Sequence, residues 1–224
     1  MFSRFEKRSF ELERQDTGDF TAAEHRRWQT EMWFIHRMFG EVRALRRSIG
    51  RELRKAAQNR VSILDVGAGT GDMLRVLQKR NRSAFCVGAE LDMISAAFIA
   101  GNRIAAVNCN ALRLPFADNS FDLVYCSLMF HHLKDENAVE LLREMRRVAK
   151  QKLFVIDLRR SAAAYYLYKL FGSVLLQPLT REDGALSVLR SFRQNELREL
   201  AVKAGLIEIE VTKSAAFRFI LSAK

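Results

Sequence analysis

Residues 61–74, Val-Ser-Ile-Leu-Asp-Val-Gly-Ala-Gly-Thr-Gly-Asp-Met-Leu, limit what this chain can fold into more than any other stretch. An apolar, β-branched run (Val61, Ile63, Leu64, Val66) carries one acid, Asp65, near its end. It breaks into Gly67, Gly69 and Gly71, and apolar residues at helical spacing follow (Met73, Leu74, Leu77). This reads as buried strand, tight glycine loop and helix start, the unit that holds a nucleotide-like ligand at the carboxyl edge of a parallel sheet. A Cβ on the loop would block close approach of that ligand to the backbone.

The spacing separates two ligand classes. A dinucleotide site uses G-x-G-x-x-G and turns bare N–H groups toward a pyrophosphate. Here the spacing is G-x-G-x-G, with Asp65 before the loop and Asp72 after it. Both acids oppose a phosphate and suit a cationic ribose ligand. S-adenosylmethionine, with an ammonium, a sulfonium and no phosphate, has that character.

Further motifs follow in order. Phe85-Cys86-Val87-Gly88-Ala89 ends in Glu90, followed by Leu91, placed where an acid takes both ribose hydroxyls of a nucleoside. Asn108 to Phe116 forms a later segment with Asn110 and Ala111 at its centre, and Ser120 to Ser127 reads as another strand, followed by Phe130-His131-His132-Leu133. Together these stretches resemble the class I S-adenosylmethionine-dependent methyltransferases, well over residues 60–158 and loosely in the C-terminal hairpin. The resemblance implies a Rossmann-like α/β fold: a seven-stranded, mostly parallel sheet closed by an antiparallel hairpin, with helices on both faces and an N-terminal helical cover. It implies S-adenosyl-L-methionine as cofactor and S-adenosyl-L-homocysteine as product. It also implies a cradle of Asp65, Gly67, Ala68, Gly69, Gly71, Glu90, Leu91, Asn110, Ala111 and Ser127. The family usually has Asp where this chain has Asn110; the amide still accepts through its carbonyl oxygen, at some loss of affinity.

The 224 residues suit one domain with an appended cover. The expected division is a helical cap over 1–58 and a methyltransferase domain over 59–224, with a substrate-side insertion at 158–192. No stretch approaches the roughly 20 apolar residues of a spanning helix, and the amino terminus lacks the apolar core of a secretion signal, so a cytoplasmic location is expected. Cys86, Cys109 and Cys126 lie in apolar contexts without ligand spacing, and no metal is expected. The net charge of +11 is uneven: +5 over residues 1–60, −2 over 61–145 and +8 over 146–224. Excess positive charge thus falls on the flanks, where a substrate cover would lie. Such a surface serves nucleic acid, an anionic membrane, an acidic substrate or solubility.

Asp16-Thr17-Gly18-Asp19 is a turn signal, and Thr21-Ala22-Ala23-Glu24 is a capping box that opens a helix over 22–39. That helix bears Trp28, Met32, Trp33, Ile35 and Phe39, and Gly40 ends it. Arg37, on the same helix, is a candidate for the methionine carboxylate. A second helix over 41–57 has a stripe of Val42, Leu45, Ile49 and Leu53 within an arginine-rich face, which is either solvated or set against an anionic membrane surface. Strands over 61–66, 84–89, 104–108, 121–126 and 152–157 alternate with helices over 71–80, 93–101 and 136–149, the signature of βαβ units. Residues 162–176 read as an aromatic helix that packs on the core or walls an apolar pocket. Pro178 ends it, Thr180–Gly184 reads as a loop, and helix 194–204 stops at Gly205 before strands 206–213 and 216–222.

Methyl transfer from a sulfonium is an in-line displacement that needs alignment and exclusion of water, and a base only when the acceptor loses a proton. His131 and His132, past the fourth strand, and Asp157, at the end of the fifth, lie at the glycine-loop edge and are the candidate catalytic residues. His25 and His36 read as structural or exposed. Arg181, Asp183 and Arg190 are candidates to orient the substrate. The favoured function is methylation of a small, partly aromatic or lipid-like acceptor, O-methylation of a phenol or enol ahead of C-methylation, by a monomer or weak dimer. The narrower resemblance is to small methyltransferases of quinone and polyketide tailoring. The alternative is an RNA or protein methyltransferase using the basic flanks. Nucleic acid is disfavoured because the two prolines, Pro115 and Pro178, stand far apart, excluding the double-proline loop of base N-methyltransferases. A binding protein without catalysis is a third reading.

Overall fold

In the computed structural model, which describes residues 3–56, 60–102 and 104–224, the glycine-loop strand β1 (Ser62–Val66) lies at the centre of the five parallel strands of the sheet. Successive residues of an extended strand point to opposite faces. Leu64 and Val66 accordingly enter one buried cluster, and Val61 and Ile63 enter the other. The remaining strands are β2 (Phe85–Glu90), β3 (Ala105–Asn108), β4 (Phe121–Ser127), β5 (Ala149–Leu158), β6 (Glu210–Ser214) and β7 (Arg218–Ala223). Their order is β3-β2-β1-β4-β5-β7-β6. The first five are parallel, and β7 runs antiparallel between β5 and β6. The order reverses between β1 and β4, so the crevice at their carboxyl ends is where a doubly wound sheet binds ligands.

The amino-terminal helices are α1 (Arg14–Thr17), α2 (Ala22–Met38), α3 (Glu41–Arg47) and α4 (Ile49–Lys55). Thr21 and Glu24 form the reciprocal cap at the start of α2, and Gly40 turns the chain at φ +85°. The helix expected over 41–57 is broken in two, with Ala57 outside the described residues. Ser48 is the break: its hydroxyl donates to the Ala44 carbonyl at 2.9 Å and its backbone leaves helical geometry, the bending that mid-helix serines favour. The apolar stripe survives, with Leu45, Ile49 and Leu53 buried against β1 and α5 (Asp72–Arg80). The boundary expected between 58 and 59 also lies outside the described residues.

Helices α6 (Met93–Gly101) and α7 (Asp135–Val148) complete the parallel half. The region after β5 departs from expectation: α8 (Ala162–Leu175) is followed by α9 (Pro178–Arg190), not by a loop. Pro178 starts this helix at its first position, where the missing N–H has no intrahelical partner to lose. Helix α10 (Gln194–Lys203) follows, and Gly205 turns the chain at φ +79° before the closing strands.

Candidate active site

The carboxyl ends of β1, β2 and β4 open into a cavity of about 670 Å³, covered by the amino-terminal segment, α2, α8 and α9. That is the size of a pocket for a drug-sized ligand.

At one end lies the glycine loop. Gly67 has φ +73°, and a Cβ there would stand 2.8 Å from the Met129 side chain. Gly69 has φ +53°, and a Cβ there would enter open space, so its backbone is bare to the cavity. Ala68 lines the wall beside them, and Gly71 caps α5. The Glu90 carboxylate joins this loop to β2: it accepts from the N–H groups of Gly69 at 2.7 Å, Leu91 at 2.8 Å and Asp92 at 3.1 Å. Asn110 and Ala111 line the next stretch of wall, where the Asn110 carbonyl oxygen already accepts the Leu112 N–H at 2.9 Å.

Asp65 lies under the loop. One oxygen accepts from the Tyr125 hydroxyl at 2.7 Å, and the other is buried without a partner. Burial pushes the Asp65 carboxyl up to about 8. Nearby, the buried Glu41 accepts from Ser127 and, at 2.8 Å, from Arg218. Arg218 and Ser127 both line the cavity. Arg37 does not: it stacks on Trp33 at 5.3 Å and lines a separate arginine-rich recess. The cause is helical phase, because Arg37 points away from the face bearing Trp28, Met32, Ile35 and Phe39, which does line the cavity. Trp33 is likewise on the outer side.

The opposite end is polar and centres on His131. Its Nδ1 lies 2.7 Å from Asp157 Oδ1, and its N–H donates to Asp157 Oδ2 at 3.0 Å. Burial alone would raise the Asp157 carboxyl; the His131 ring and the N–H groups of Leu158 and His131 hold it below its ordinary value. His131 Nε2 is buried with no hydrogen-bond partner and stands 3.8 Å from Glu13 Oε1. His132 is arranged alike, with Nδ1 2.9 Å from Asp16 and Nε2 3.9 Å from Glu13 Oε2. Burial pushes the Glu13 carboxyl up to about 7, against Arg190 at 3.4 Å and the Ser187 hydroxyl at 2.9 Å. Donor atoms of Glu13, His131 and His132 lie within 4.8 Å of one another, close enough for one cation to touch all three.

Sequence reasoning passed over Glu13, Arg218 and Gln15, which also lines the cavity. Glu13 lies in a charged stretch that carries only a turn signal; its N–H donates to the Asp16 carboxylate at 3.1 Å, and its own carboxylate serves the distant Ser187. Asp183 and Arg190 serve the amino-terminal segment: Asp183 accepts the N–H groups of Arg14 at 2.9 Å and Gln15 at 3.1 Å, and Arg190 pairs with Asp16 and Glu13. Arg8 ties the segment to the loop after β4 through Asp135 and the Leu133 carbonyl. Arg181 does not reach the cavity; it lies 3.8 Å from Glu182. His25 and His36 both line the cavity: His25 stacks between Phe20 and Trp28, and burial pushes the His36 imidazole down to about 4.

Comparison with known proteins decides the family. Residues 63–152 match the methyltransferase domain family. This stretch is a class I S-adenosylmethionine-dependent methyltransferase domain. It is 29% identical over 170 residues to the ubiquinone/menaquinone biosynthesis C-methyltransferase UbiE of Hahella chejuensis, covering 65% of this chain and 66% of that one. It is 32% identical over 127 residues to a demethylmenaquinone methyltransferase of Mycolicibacterium paratuberculosis, covering 56% and 53%. The chain thus spans about half the length of the curated relatives it matches. Among solved structures, the plantazolicin methyltransferase BpumL in complex with S-adenosylhomocysteine superposes with a TM-score of 0.69 at 15% identity, covering 92% of this chain and 91% of that one. A methyltransferase of Aquifex aeolicus gives 0.57 at 18% identity, covering 79% and 88%; both show the shared fold.

The methyltransferase cradle here fits the superfamily's cofactor, S-adenosylmethionine. The bare Gly69 backbone leaves room for it, the Glu90 carboxylate is an acceptor for a diol, and the unpartnered Asp65 oxygen is an acceptor for an ammonium. Among the described residues no helix is long and apolar enough to cross a membrane.

Proposed function

We propose that this methyltransferase methylates a small, partly aromatic or lipid-like acceptor, with His131 taking the acceptor's proton. The observation that carries this reading is the His131–Asp157 pair, whose free Nε2 is buried at the polar end of an otherwise apolar cavity. S-adenosylmethionine, when bound, supplies a methyl group on a positively charged sulfur. Gly67, Ala68, Gly69 and Gly71 shape its bed, Glu90 and Leu91 face its ribose, and Asn110 and Ala111 face the adenine edge. Asp65, Ser127 and Arg218 face its amino-acid end, Arg218 in place of Arg37.

Asp157 keeps the proton of His131 on Nδ1, so Nε2 presents a lone pair to an acidic O–H. His132 orients the acceptor from the next position. Loss of that proton leaves an oxygen nucleophile on a phenol or enol, conjugated with a carbon that is also nucleophilic, so one base serves O- or C-methylation. The same pair therefore accommodates the quinone-ring C-methylation named for the relatives; we favour oxygen. The amino-terminal cover (1–58) and the insertion (158–192) exclude water with the aromatic faces of α2 and α8. The basic helices after Gly40 face an anionic surface, in a cytoplasmic enzyme. The test is labelled methyl transfer into phenolic and quinone extracts, with the product position read by NMR. Label in a phenol or enol O-methyl is expected; label entering bulk RNA or protein instead overturns the reading.

A further inference from the structure

From its surface, we infer that this methyltransferase docks on an anionic lipid bilayer through one continuous face, made of the outer side of α8, the outer side of α2 and the arginines of α3 and α4. Helix α8 is mostly apolar, Lys169 being its one charged residue. Its inner side packs Tyr165 against Phe5 and turns Tyr168 into the cavity. Its outer side carries Leu167, Leu170, Phe171, Val174 and Leu175, the i, i+3, i+4, i+7, i+8 stripe of an amphipathic helix seeking a partner. These side chains lie in solvent, Leu170 at 65% and Val174 at 81% exposure. The patch continues onto α2. Phe39 packs against Phe171 at 6.4 Å, and Phe34 and Met38, also exposed, stand on the flank where Glu31 holds the Gln177 N–H at the end of α8.

Beyond them, Arg37, Arg43, Arg46, Arg47, Arg51 and Arg54 line one recess, and none forms an ion pair among the described residues. An apolar stripe beside unpaired arginines is the pattern of an interfacial surface: phosphates meet the guanidinium groups, and the stripe sinks to the acyl boundary. A second copy of this chain fits less well, because it would bring the same arginines together in a protein that already carries +11. Nucleic acid would satisfy the arginines and leave the stripe in water.

The inference rests on the lipid-like acceptor proposed above, since Tyr168 of the docking helix also walls the acceptor cavity. A docked enzyme would draw its acceptor from the bilayer.

Flotation with vesicles of phosphatidylcholine, alone or mixed with phosphatidylglycerol, tests the inference. The protein should float with the mixed vesicles and not with phosphatidylcholine alone, and about 0.5 M salt should release it by screening. Leu170→Glu with Val174→Glu should abolish flotation. Arg43→Glu with Arg47→Glu should weaken it about tenfold or more, given the electrostatic contribution of each surface arginine. Both variants should bind S-adenosylhomocysteine as the parent does, which shows that they are folded. Failure of the parent to float, or undiminished flotation of either variant, overturns docking. A dimer in light scattering that the α8 variant dissolves also overturns it, in favour of self-association. Loss of S-adenosylhomocysteine binding by the parent would instead overturn the proposed function and leave the vesicle result standing.

Discussion

Glu13 and His131 face each other across 3.8 Å, with Glu13 Oε1 opposite the unpartnered Nε2 of a ring whose other nitrogen is held by Asp157. Two segments far apart in the chain therefore build the polar end of the cavity: an amino-terminal strap and the loop after β4. The separation exceeds a hydrogen bond. An acceptor hydroxyl placed between the two groups would reach both.

Removing the base should slow chemistry without loosening the cofactor. His131→Ala and Asp157→Asn should each lower kcat by about 10²–10⁴-fold, the usual contribution of a general base. S-adenosylhomocysteine affinity, measured by calorimetry, should stay within a factor of about two, because neither residue belongs to the proposed cradle. His132→Ala should cost less, since His132 is half-buried and held by Asp16. Full turnover in both His131 and Asp157 variants would remove the pair from the mechanism.

The glycine loop and Glu90 should control cofactor affinity. Gly69→Arg places a side chain at φ +53° and in the open space above the loop, adding about 1–3 kcal/mol of backbone strain to the steric block. Binding of S-adenosylhomocysteine should vanish while far-ultraviolet circular dichroism is unchanged. Glu90→Ala should weaken binding roughly tenfold to a hundredfold, the scale of hydrogen bonds to a charged group.

Stability should fall as pH rises toward 8. Buried Glu13 titrates near 7 and buried Asp65 near 8, both above their ordinary values, so the folded state holds protons that the unfolded state has released. Their contribution is fully present below the ordinary carboxyl range and is lost as pH rises through about 7 and then 8. Thermal melts of the ligand-free protein should show this decline. Glu13→Gln should flatten its lower part and Asp65→Asn its upper part. Identical profiles for parent and variants would rule out these carboxyls as the source.

Freeing the strap should act on the acceptor alone. Asp183→Ala removes the carboxylate that holds the N–H groups of Arg14 and Gln15, a loss of about 1.5–3 kcal/mol for hydrogen bonds to a charged group. Proteolysis near residues 13–17 should accelerate and KM for the acceptor should rise, with S-adenosylhomocysteine affinity unchanged. An unchanged KM would show that the strap does not shape the acceptor pocket.

A metal chelator should leave turnover unchanged. Arg190 lies 3.4 Å from Glu13, and its positive charge disfavours a cation between Glu13, His131 and His132. Activity lost with a chelator and restored by zinc would make the cluster a metal site.

The central sheet and the cofactor end were legible in sequence because their signals are local. The run from Val61 to Val66 and the three glycines act through neighbouring backbone, so their spacing marks the strand and turn, and the family resemblance adds Glu90 at the end of the next strand. Ser48 and Pro178 were misjudged for an equally local reason: a serine can bend a helix through the preceding carbonyls, and a proline that ends one helix can start another.

The sequence by itself determined that this chain builds a doubly wound sheet with a cationic-nucleoside cradle at its carboxyl edge. Only the tertiary structure decided what stands opposite that cradle. Helical phase turned Arg37 outward, and packing of distant segments brought Arg218 inward. The amino-terminal strap set Glu13 over His131, with Asp183 and Arg190 holding it there. Those contacts join residues far apart in the chain, and a pairing that depends on how separate elements pack leaves no periodicity or spacing to read.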